Sequence, residues 1–243
     1  MVRPKLSIII PCYNEAAGLP NLVQQLTPAV HKLQREYEIE LIFVDDGSTD
    51  KTYELLQHYY GQQKSNIILR HERNKNLGAA LKTGFAAASG DLIAALDSDC
   101  TYSPELLYTM VKMTNNNTDI VTVSPYHPQG KVNNVPAYRV FLSKSVSRIY
   151  KILLPSPIYT YTAMVRVYKK GVIKKVQFNS DTFLSVTELM VKSILQGYRV
   201  KELPTELKVR QFGASKMKTL SVIGNHIGLI GAIISHKILK TKL

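Results

Sequence analysis

The chain has 243 residues, 45% apolar and 20% charged, a balance that suits one compact domain and excludes a disordered chain. Thirty-one Lys and Arg against eighteen Asp and Glu leave a net charge of +13, which points to an anionic partner: nucleic acid, a phosphorylated substrate or an acidic membrane face. Two cysteines, Cys12 and Cys100, exclude a disulfide framework or metal knuckle, and no run of eighteen apolar residues offers an ordinary membrane span.

That cysteine usage makes a reducing, cytosolic setting the expectation, and the opening Met1-Val2-Arg3-Pro4-Lys5 has no apolar signal-peptide core and runs directly into a strand. Residues 6–10 read as a buried strand stopped by Pro11, with Asn14 and Glu15 just beyond it. The helix that follows spaces Leu19, Leu22, Val23, Leu26, Val30 and Leu33 along one face, and Pro28 within it predicts a kink or an early break. Residues 39–44 form a second strand that ends in Asp45-Asp46-Gly47-Ser48-Thr49-Asp50, the turn and helix-start chemistry expected between a strand and a helix over 53–60. A third strand, 67–70, precedes Asn76-Leu77-Gly78 and a small-residue helix over 79–89.

Gly90-Asp91 then turns into an apolar strand, 92–96, that exits into Asp97-Ser98-Asp99. In extended backbone residues two apart share a side, so Asp97 and Asp99 converge, with only a small serine between them. Two carboxylates so placed repel one another, yet they suit a hard divalent cation that fills its shell with substrate phosphate oxygens. The bland alternative is an acidic cap on the next helix, although Ser103-Pro104-Glu105 already supplies a cap. A helix over 103–113 and a strand over 119–123 continue the alternation. The class is α/β: an open, mainly parallel twisted sheet with helices on both faces, binding ligand beyond the carboxyl ends of its strands. Residues 11–15, 45–46 and 97–99 all fall at those ends.

From Ile120 to Ser180 there are ten Lys or Arg and no Asp or Glu. Within this run, a helix over 137–154 carries Arg139, Ser143, Lys144, Arg148 and Lys151, presenting either a solvated face or one turned to an anion. A helix over 182–196 contains Glu188 and is ended by Gly197-Tyr198; 199–206 is extended and carries Pro204. A basic loop, Arg210-Gln211-Phe212-Gly213-Ala214-Ser215-Lys216, leads to an apolar tail over 220–239 interrupted by Asn225, His226 and His236 and followed by Lys237, Lys240 and Lys242. The tail fits an amphipathic helix lying in a membrane interface, or a helix docked on the core. No recognition motif for nucleic acid accompanies the charge, so nucleic acid is not an expected partner.

Taken in order, Ile10-Pro11-Cys12-Tyr13-Asn14-Glu15, Val44-Asp45-Asp46-Gly47-Ser48-Thr49-Asp50, Asn76-Leu77-Gly78, Gly90-Asp91 and Asp97-Ser98-Asp99 resemble the family 2 inverting glycosyltransferases of the GT-A fold. In the second half, Gly130-Lys131-Val132, Tyr138-Arg139, Ser143-Lys144, Glu188, Gly197-Tyr198, Glu202-Leu203-Pro204 and Gly213-Ala214-Ser215-Lys216 resemble the dolichyl- or polyprenyl-phosphate mannose synthases. The resemblance implies a GT-A domain over 1–218, with a nucleotide and metal half (1–123) and an acceptor half (124–218). A basic amphipathic helix over 219–243 would follow at a membrane surface. It further implies a nucleotide-sugar donor bound by Pro11, Tyr13, Glu15, Val44, Asp46 and Asp97, with Mg²⁺ or Mn²⁺ held by Asp97 and Asp99.

The acceptor implied is a lipid phosphate held by Arg139 and Ser143 at an anionic membrane surface, with Asp99, Arg139, Lys216 and Glu188 as candidate catalytic residues. If the acceptor were instead a hydroxyl of a glycan or soluble molecule, Glu188 would be the candidate base; a third reading is a non-catalytic protein that binds nucleotides or anionic membranes. Four positions depart from the family pattern. Pro125 stands where an arginine is usual, with Arg166 a candidate replacement. Thr101 lies near the position of an amide-bearing residue beyond the Asp-x-Asp. Thr162-Ala163-Met164-Val165-Arg166 replaces a Ser-Gly-Phe stretch, and Ala214 replaces an acidic residue. The oligomeric state and the donor base are not legible.

Overall fold

The computed structural model describes residues 3–156, 158–212 and 219–239. Strands β1 (Lys5–Cys12), β2 (Glu38–Asp45), β3 (Asn66–Arg70) and β4 (Leu92–Ala95) run parallel in the spatial order β3-β2-β1-β4. Helices α1 (Leu19–Leu33), α2 (Thr52–Tyr60) and α3 (Leu77–Ala87) connect them. The chain steps outward from β1 to β3 and then returns to the other side of β1 as β4. The crevice where the direction reverses therefore lies at the carboxyl ends of β1 and β4, where open α/β sheets bind ligand.

Both faces of the sheet are covered, which is why its strands are almost continuously apolar. Leu6, Ile8 and Ile10 of β1 pack with Leu19, Leu22 and Leu26 of α1 and with Leu107, Met110 and Val111 of α4 (Leu106–Met113). Ile9, between them in sequence, points the other way, into a core with Ala80, Leu81 and Phe85 of α3. Pro28 neither ends nor breaks α1, which continues to Leu33. The missing N–H costs one backbone bond, but Ala29, Val30 and Leu33 beyond it are buried, and the Thr27 hydroxyl donates to the Val23 carbonyl at 2.7 Å.

The remaining strands extend the sheet on the β4 side. They are β5 (Ile120–Ser124), β7 (Arg166–Lys169) and β8 (Val200–Pro204), in the order β4-β7-β5-β8. Strand β7 is antiparallel to both neighbours and has no counterpart in the sequence reading. Its four residues, Arg-Val-Tyr-Lys, are charged at both ends and sit in the basic run, so they show no strand pattern; burial between β4 and β5 makes them one. A separate two-stranded sheet pairs β6 (Lys131–Val132) with β9 (Glu206–Leu207). Helices α5 (Ala137–Leu153), α6 (Lys170–Lys175), α7 (Leu184–Leu195) and α8 (Thr219–Leu239) complete the second half of the chain.

Helix α8 docks by His226, Leu229 and Ile233, all buried, against α5 and α7. The Tyr150 hydroxyl of α5 lies 3.0 Å from His226 Nδ1. Its outer side leaves Ile227, Ile234 and Ile238 exposed. No helix among the described residues is long and apolar enough to cross a membrane.

Two stability predictions follow from this packing. A Cβ at Gly84 would lie 2.4 Å from Ile9 Cγ2, at the centre of the α3–β1 contact. Gly84→Ala therefore lowers the unfolding free energy by about 1–3 kcal/mol despite alanine's better helix propensity, read as a lower urea midpoint; an unchanged midpoint contradicts the packing. Burial holds the His226 imidazole down to about 4. A depressed folded value gives stability that is full above the unfolded value of about 6.5 and lost as pH falls toward the folded one. His226→Gln should flatten the pH dependence of unfolding between those limits by up to about 3 kcal/mol, whereas parallel profiles would show that the imidazole titrates freely.

Candidate active site

The carboxyl edge of the sheet is built from turns that ordinary residues avoid. Asn14, Gly47, Asn76 and Cys100, one after each of the four parallel strands β1 to β4, take φ values of 52°, 69°, 71° and 55°. At Gly47 a Cβ would fall 2.3 Å from the Arg73 carbonyl carbon, so glycine is required there. The Asp45–Asp50 turn in turn fixes the loop after β1. Asn14 N–H donates to Ser48 Oγ at 2.9 Å, Thr49 N–H to Asn14 Oδ1 at 2.8 Å and Glu15 N–H to Thr52 Oγ1 at 2.8 Å. Asp45 itself is buried and paired with Arg70 at 3.1 Å. The adjacent aspartates Asp45 and Asp46 are thus divided, the first structural and the second open to a pocket.

Two cavities meet above this edge. A pocket of 390 Å³ is lined by Pro11, Tyr13, Glu15, Asp46, Asp97 and Asp99 among others. A larger cavity of 510 Å³ contains Asp97, Asp99, Arg139 and Ser143, with an apolar wall that includes Val140, Val146, Val222 and Ile223 from α5 and α8. Asp97, Asp99 and Arg210 line both. Of the expected nucleotide residues, Val44 is the exception: its side chain is fully buried with Ile9 and Ile42 in the core and lines neither cavity.

The shared rim is a knot of charge. Arg210 pairs with Glu15 and lies 3.5 Å from Asp99 Oδ2, while Asp99 Oδ1 accepts from Thr101 N–H at 3.0 Å. Asp97 makes no hydrogen bond to a described residue; burial pushes its carboxyl well above the usual range, the Asp99 charge adds to this, Arg210 opposes it and Glu15 adds again. No group of three His, Cys, Asp or Glu side chains suited to a metal occurs among the described residues, so the protein offers two carboxylates and leaves the remaining positions to substrate oxygens or water. That donor set fits Mg²⁺ or Mn²⁺. Burial, then Asp99 and Asp97, pushes the adjacent Cys100 thiol up to about 12, which makes it inert.

Arg139 and Ser143 face the larger cavity one turn apart on α5. Arg139 Nε donates to the Tyr138 hydroxyl at 3.1 Å, and Ser143 shares a 2.6 Å hydrogen bond with Thr162. Glu188 is not brought to either cavity. Its oxygens accept from the Asn179 and Ser180 N–H groups at 3.0 and 2.9 Å and from Lys192 at 2.8 Å. Despite burial, Lys192 and these backbone groups hold its carboxyl below the usual range, a poor base. Arg166 does not replace the arginine absent at Pro125: it is fully buried and donates to the Tyr161 and Val186 carbonyls and the Thr122 hydroxyl. Lys216 and the Gly213-Ala214-Ser215 stretch lie outside the described residues. Arg210 was legible only as part of a basic loop; its approach to Glu15, 195 residues away, has no local signal.

Residues 7–177 match the family model described as glycosyl transferase family 2. Among similar curated proteins, a dolichol-phosphate mannosyltransferase from Pyrococcus furiosus is 32% identical over 88% of this chain, and an undecaprenyl-phosphate 4-deoxy-4-formamido-L-arabinose transferase from Salmonella choleraesuis is 30% identical over 90%. The chain spans 59% and 64% of the lengths of these two relatives. Among solved structures, glucosyl-3-phosphoglycerate synthase from Mycobacterium tuberculosis, in complex with Mn²⁺, UDP and glucosyl-3-phosphoglycerate, superposes with a TM-score of 0.69 at 19% identity. That match covers 96% of this chain and 79% of the other, and establishes the shared GT-A fold.

The charge knot carries a prediction. A carboxyl with a raised folded pKa stabilises the fold while it stays protonated, fully so below the unfolded value of about 4, and that contribution is lost as pH rises through the folded value. Asp97→Asn removes the loss, so without metal the variant melts about 2–4 °C higher at neutral pH, the shift expected of about 1 kcal/mol in a chain of this size. Near pH 3 the two proteins melt alike. Added Mn²⁺ raises the melting temperature of the wild type and leaves that of the variant where it was; an equal response from both would place the metal elsewhere.

Proposed function

The chain belongs to glycosyl transferase family 2, and on that footing we propose that it moves a sugar, mannose or glucose, from a nucleoside-diphosphate donor to a polyprenyl or dolichyl phosphate. The transfer inverts the anomeric carbon, depends on Mg²⁺ or Mn²⁺, and takes place at the cytoplasmic face of a membrane to which the protein binds peripherally. One observation carries this reading: a polar pocket and a larger, partly apolar cavity share a carboxylate pair, and the cavity's other polar groups include Arg139 and Ser143. The names of two relatives, for dolichol phosphate and undecaprenyl phosphate, and the Mn²⁺ and UDP in the structural neighbour agree with it.

Pro11, Tyr13, Glu15 and Asp46 would surround the nucleotide, and Asp97 and Asp99 would hold the metal. When bound, the metal supplies charge neutralisation for the departing diphosphate. Arg210, released from Glu15 and Asp99, would turn its guanidinium to the same phosphates, and Lys216 is a candidate for a second cation there. Arg139 and Ser143 would hold the acceptor phosphate. One of its oxygens attacks the anomeric carbon as the bond to the diphosphate breaks, and the bonding pair leaves with the nucleoside diphosphate. A phosphate is already ionised at neutral pH, so positioning replaces general base catalysis, and the committed hydrogen bonds of Glu188 pose no difficulty.

Support for the membrane comes from α5 and α8, which pack together. Tyr138, Phe141, Ile149 and Ile152 of α5 and Ile227, Ile234 and Ile238 of α8 are exposed, with Arg148, Lys144 and Lys237 among them. Apolar side chains rimmed by cations suit an anionic leaflet, where each basic residue near the surface contributes about 1 kcal/mol.

The test is transfer to a short-chain polyprenyl phosphate, followed by mass spectrometry with a panel of nucleotide sugars. Asp99→Ala should cost about 10²–10³-fold in kcat, and Arg139→Ala should raise KM for the lipid about 10–100-fold. Glu188→Gln should change phosphate transfer little if the protein stays folded. Transfer to sugar hydroxyls alone, abolished by Glu188→Gln, would assign the acceptor to a glycan. Nucleotide binding with neither transfer nor donor hydrolysis would leave a binding protein.

A further inference from the structure

The donor pocket also bears on which base the donor carries. Asp46 follows β2 directly, is almost fully buried, and lines the 390 Å³ pocket. Its N–H donates to the Cys12 carbonyl at 2.8 Å, which fixes the backbone. Its carboxylate is clamped as well. Oδ1 accepts from His71 Nδ1 at 2.6 Å and from Lys75 N–H at 2.9 Å, and Oδ2 accepts from the Asn74 amide nitrogen at 2.9 Å. His71 is held in turn by Thr83 Oγ1, 2.9 Å from Nε2. Because the carboxylate only accepts, His71 Nδ1 carries the proton. The Asn74 amide nitrogen also faces the Asp46 carbonyl at 3.4 Å, a second acceptor, so its orientation follows from chemistry.

An ionised carboxylate has about four lone-pair sites. Three of the four are taken within the protein, two of them on Oδ1, so a ligand finds one acceptor site, on Oδ2. A carboxylate that reads guanine needs both oxygens, one for N1–H and one for the exocyclic amine. Here that pairing would displace His71 or the Lys75 N–H from Oδ1 and leave a buried donor unsatisfied. Uracil presents a single N3–H between two carbonyls. The one free site matches the N–H, and the Asn76 side chain, which lines the same pocket and has no hydrogen bond to a described residue, offers an amide to a flanking carbonyl. Cytosine puts an acceptor at the same ring position, where it would meet the carboxylate's charge.

Building on the donor site of the proposed function, we infer that this pocket selects uracil, so the donor is a UDP-sugar, and that His71 and Asn74 are positioning residues that set the base preference by filling Asp46. Their role is to leave one lone pair rather than two.

Calorimetric titration of the full chain with UDP, GDP, CDP, ADP and inorganic pyrophosphate, each with Mn²⁺, tests this. UDP should bind about tenfold or more tightly than GDP, since a mispaired buried polar group is costly. His71→Ala should weaken UDP and collapse the UDP-to-GDP ratio while pyrophosphate binding stays unchanged, and His71→Asn, which keeps a donor, should restore part of the ratio. Asn74→Ala, at an exposed position, gives a second variant that should shrink the ratio without unfolding risk. GDP binding as well as or better than UDP overturns the inference alone, as does an unchanged ratio in both alanine variants. If neither any nucleotide nor pyrophosphate binds, the donor-site reading itself fails and this inference falls with it.

Discussion

Like charge held at one point is the constraint on which this molecule turns. Glu15, Asp97 and Asp99 come from the ends of two adjacent parallel strands, and the crossover that returns β4 beside β1 leaves them no way to separate. Among the described residues Arg210 pairs with Glu15 and approaches Asp99, and Asp97 receives no hydrogen bond from a described residue. A fold does not keep an uncompensated carboxylate for stability, because desolvation and repulsion both oppose it. The arrangement makes sense when a cation and a polyanion arrive together, the cation to the carboxylates and the polyanion to the arginine they release. The left-handed turns at Asn14, Gly47, Asn76 and Cys100 are the backbone cost of bringing these groups to one edge.

The same constraint organises the two cavities. Because both are lined by Asp97, Asp99 and Arg210, whatever occupies one is felt electrostatically in the other. The pocket beside Asp46 is walled by polar loops tied to one another by hydrogen bonds, among them those of Asp46 to His71, Asn74 and Lys75. The larger cavity is lined from α5, α7 and α8; α8 packs on both of the others, and α5 and α8 leave apolar side chains exposed on their outer sides. In the function proposed above, the polar pocket takes the nucleotide and the larger, partly apolar cavity takes the lipid acceptor.

How much of this could be read from sequence depends on how local each signal is. The alternation of strands and helices, the parallel half of the sheet and the three polar clusters were all legible, because each is written in a stretch of ten residues or fewer at a strand end. Strand β7 was not, since nothing in Arg166-Val167-Tyr168-Lys169 says that β4 and β5 need a partner between them. Arg210 was not, because its carboxylate partners lie at the other end of the chain. Val44 was assigned to the pocket by resemblance, yet strand alternation turns its side chain to the α3 face. Glu188 shows the limit in another way: a carboxylate on a helix reads alike whether it is a base or, as its bonds to Asn179, Ser180 and Lys192 make it, a clasp for the loop before α7.

The basic run over residues 120–180 also resolves into parts with different physics. Lys169 pairs with Asp119, Lys170 donates to the Ser89 carbonyl, and Arg166 is internal, so three of its ten cations are structural. Arg166 has no carboxylate partner among its hydrogen bonds; two carbonyls and a hydroxyl solvate it instead. The planar fork of the guanidinium suits this arrangement, since its donors are met by fixed protein oxygens without a counter-ion. Arg166 ends the stretch whose Thr160, Thr162, Ala163 and Met164 line the larger cavity, so that positive charge lies behind the cavity wall. With the arginine of the family pattern absent at Pro125, the cations among the described residues that line the larger cavity are Arg139, Lys208 and Arg210, while Arg166 lies behind its wall and adds positive potential there.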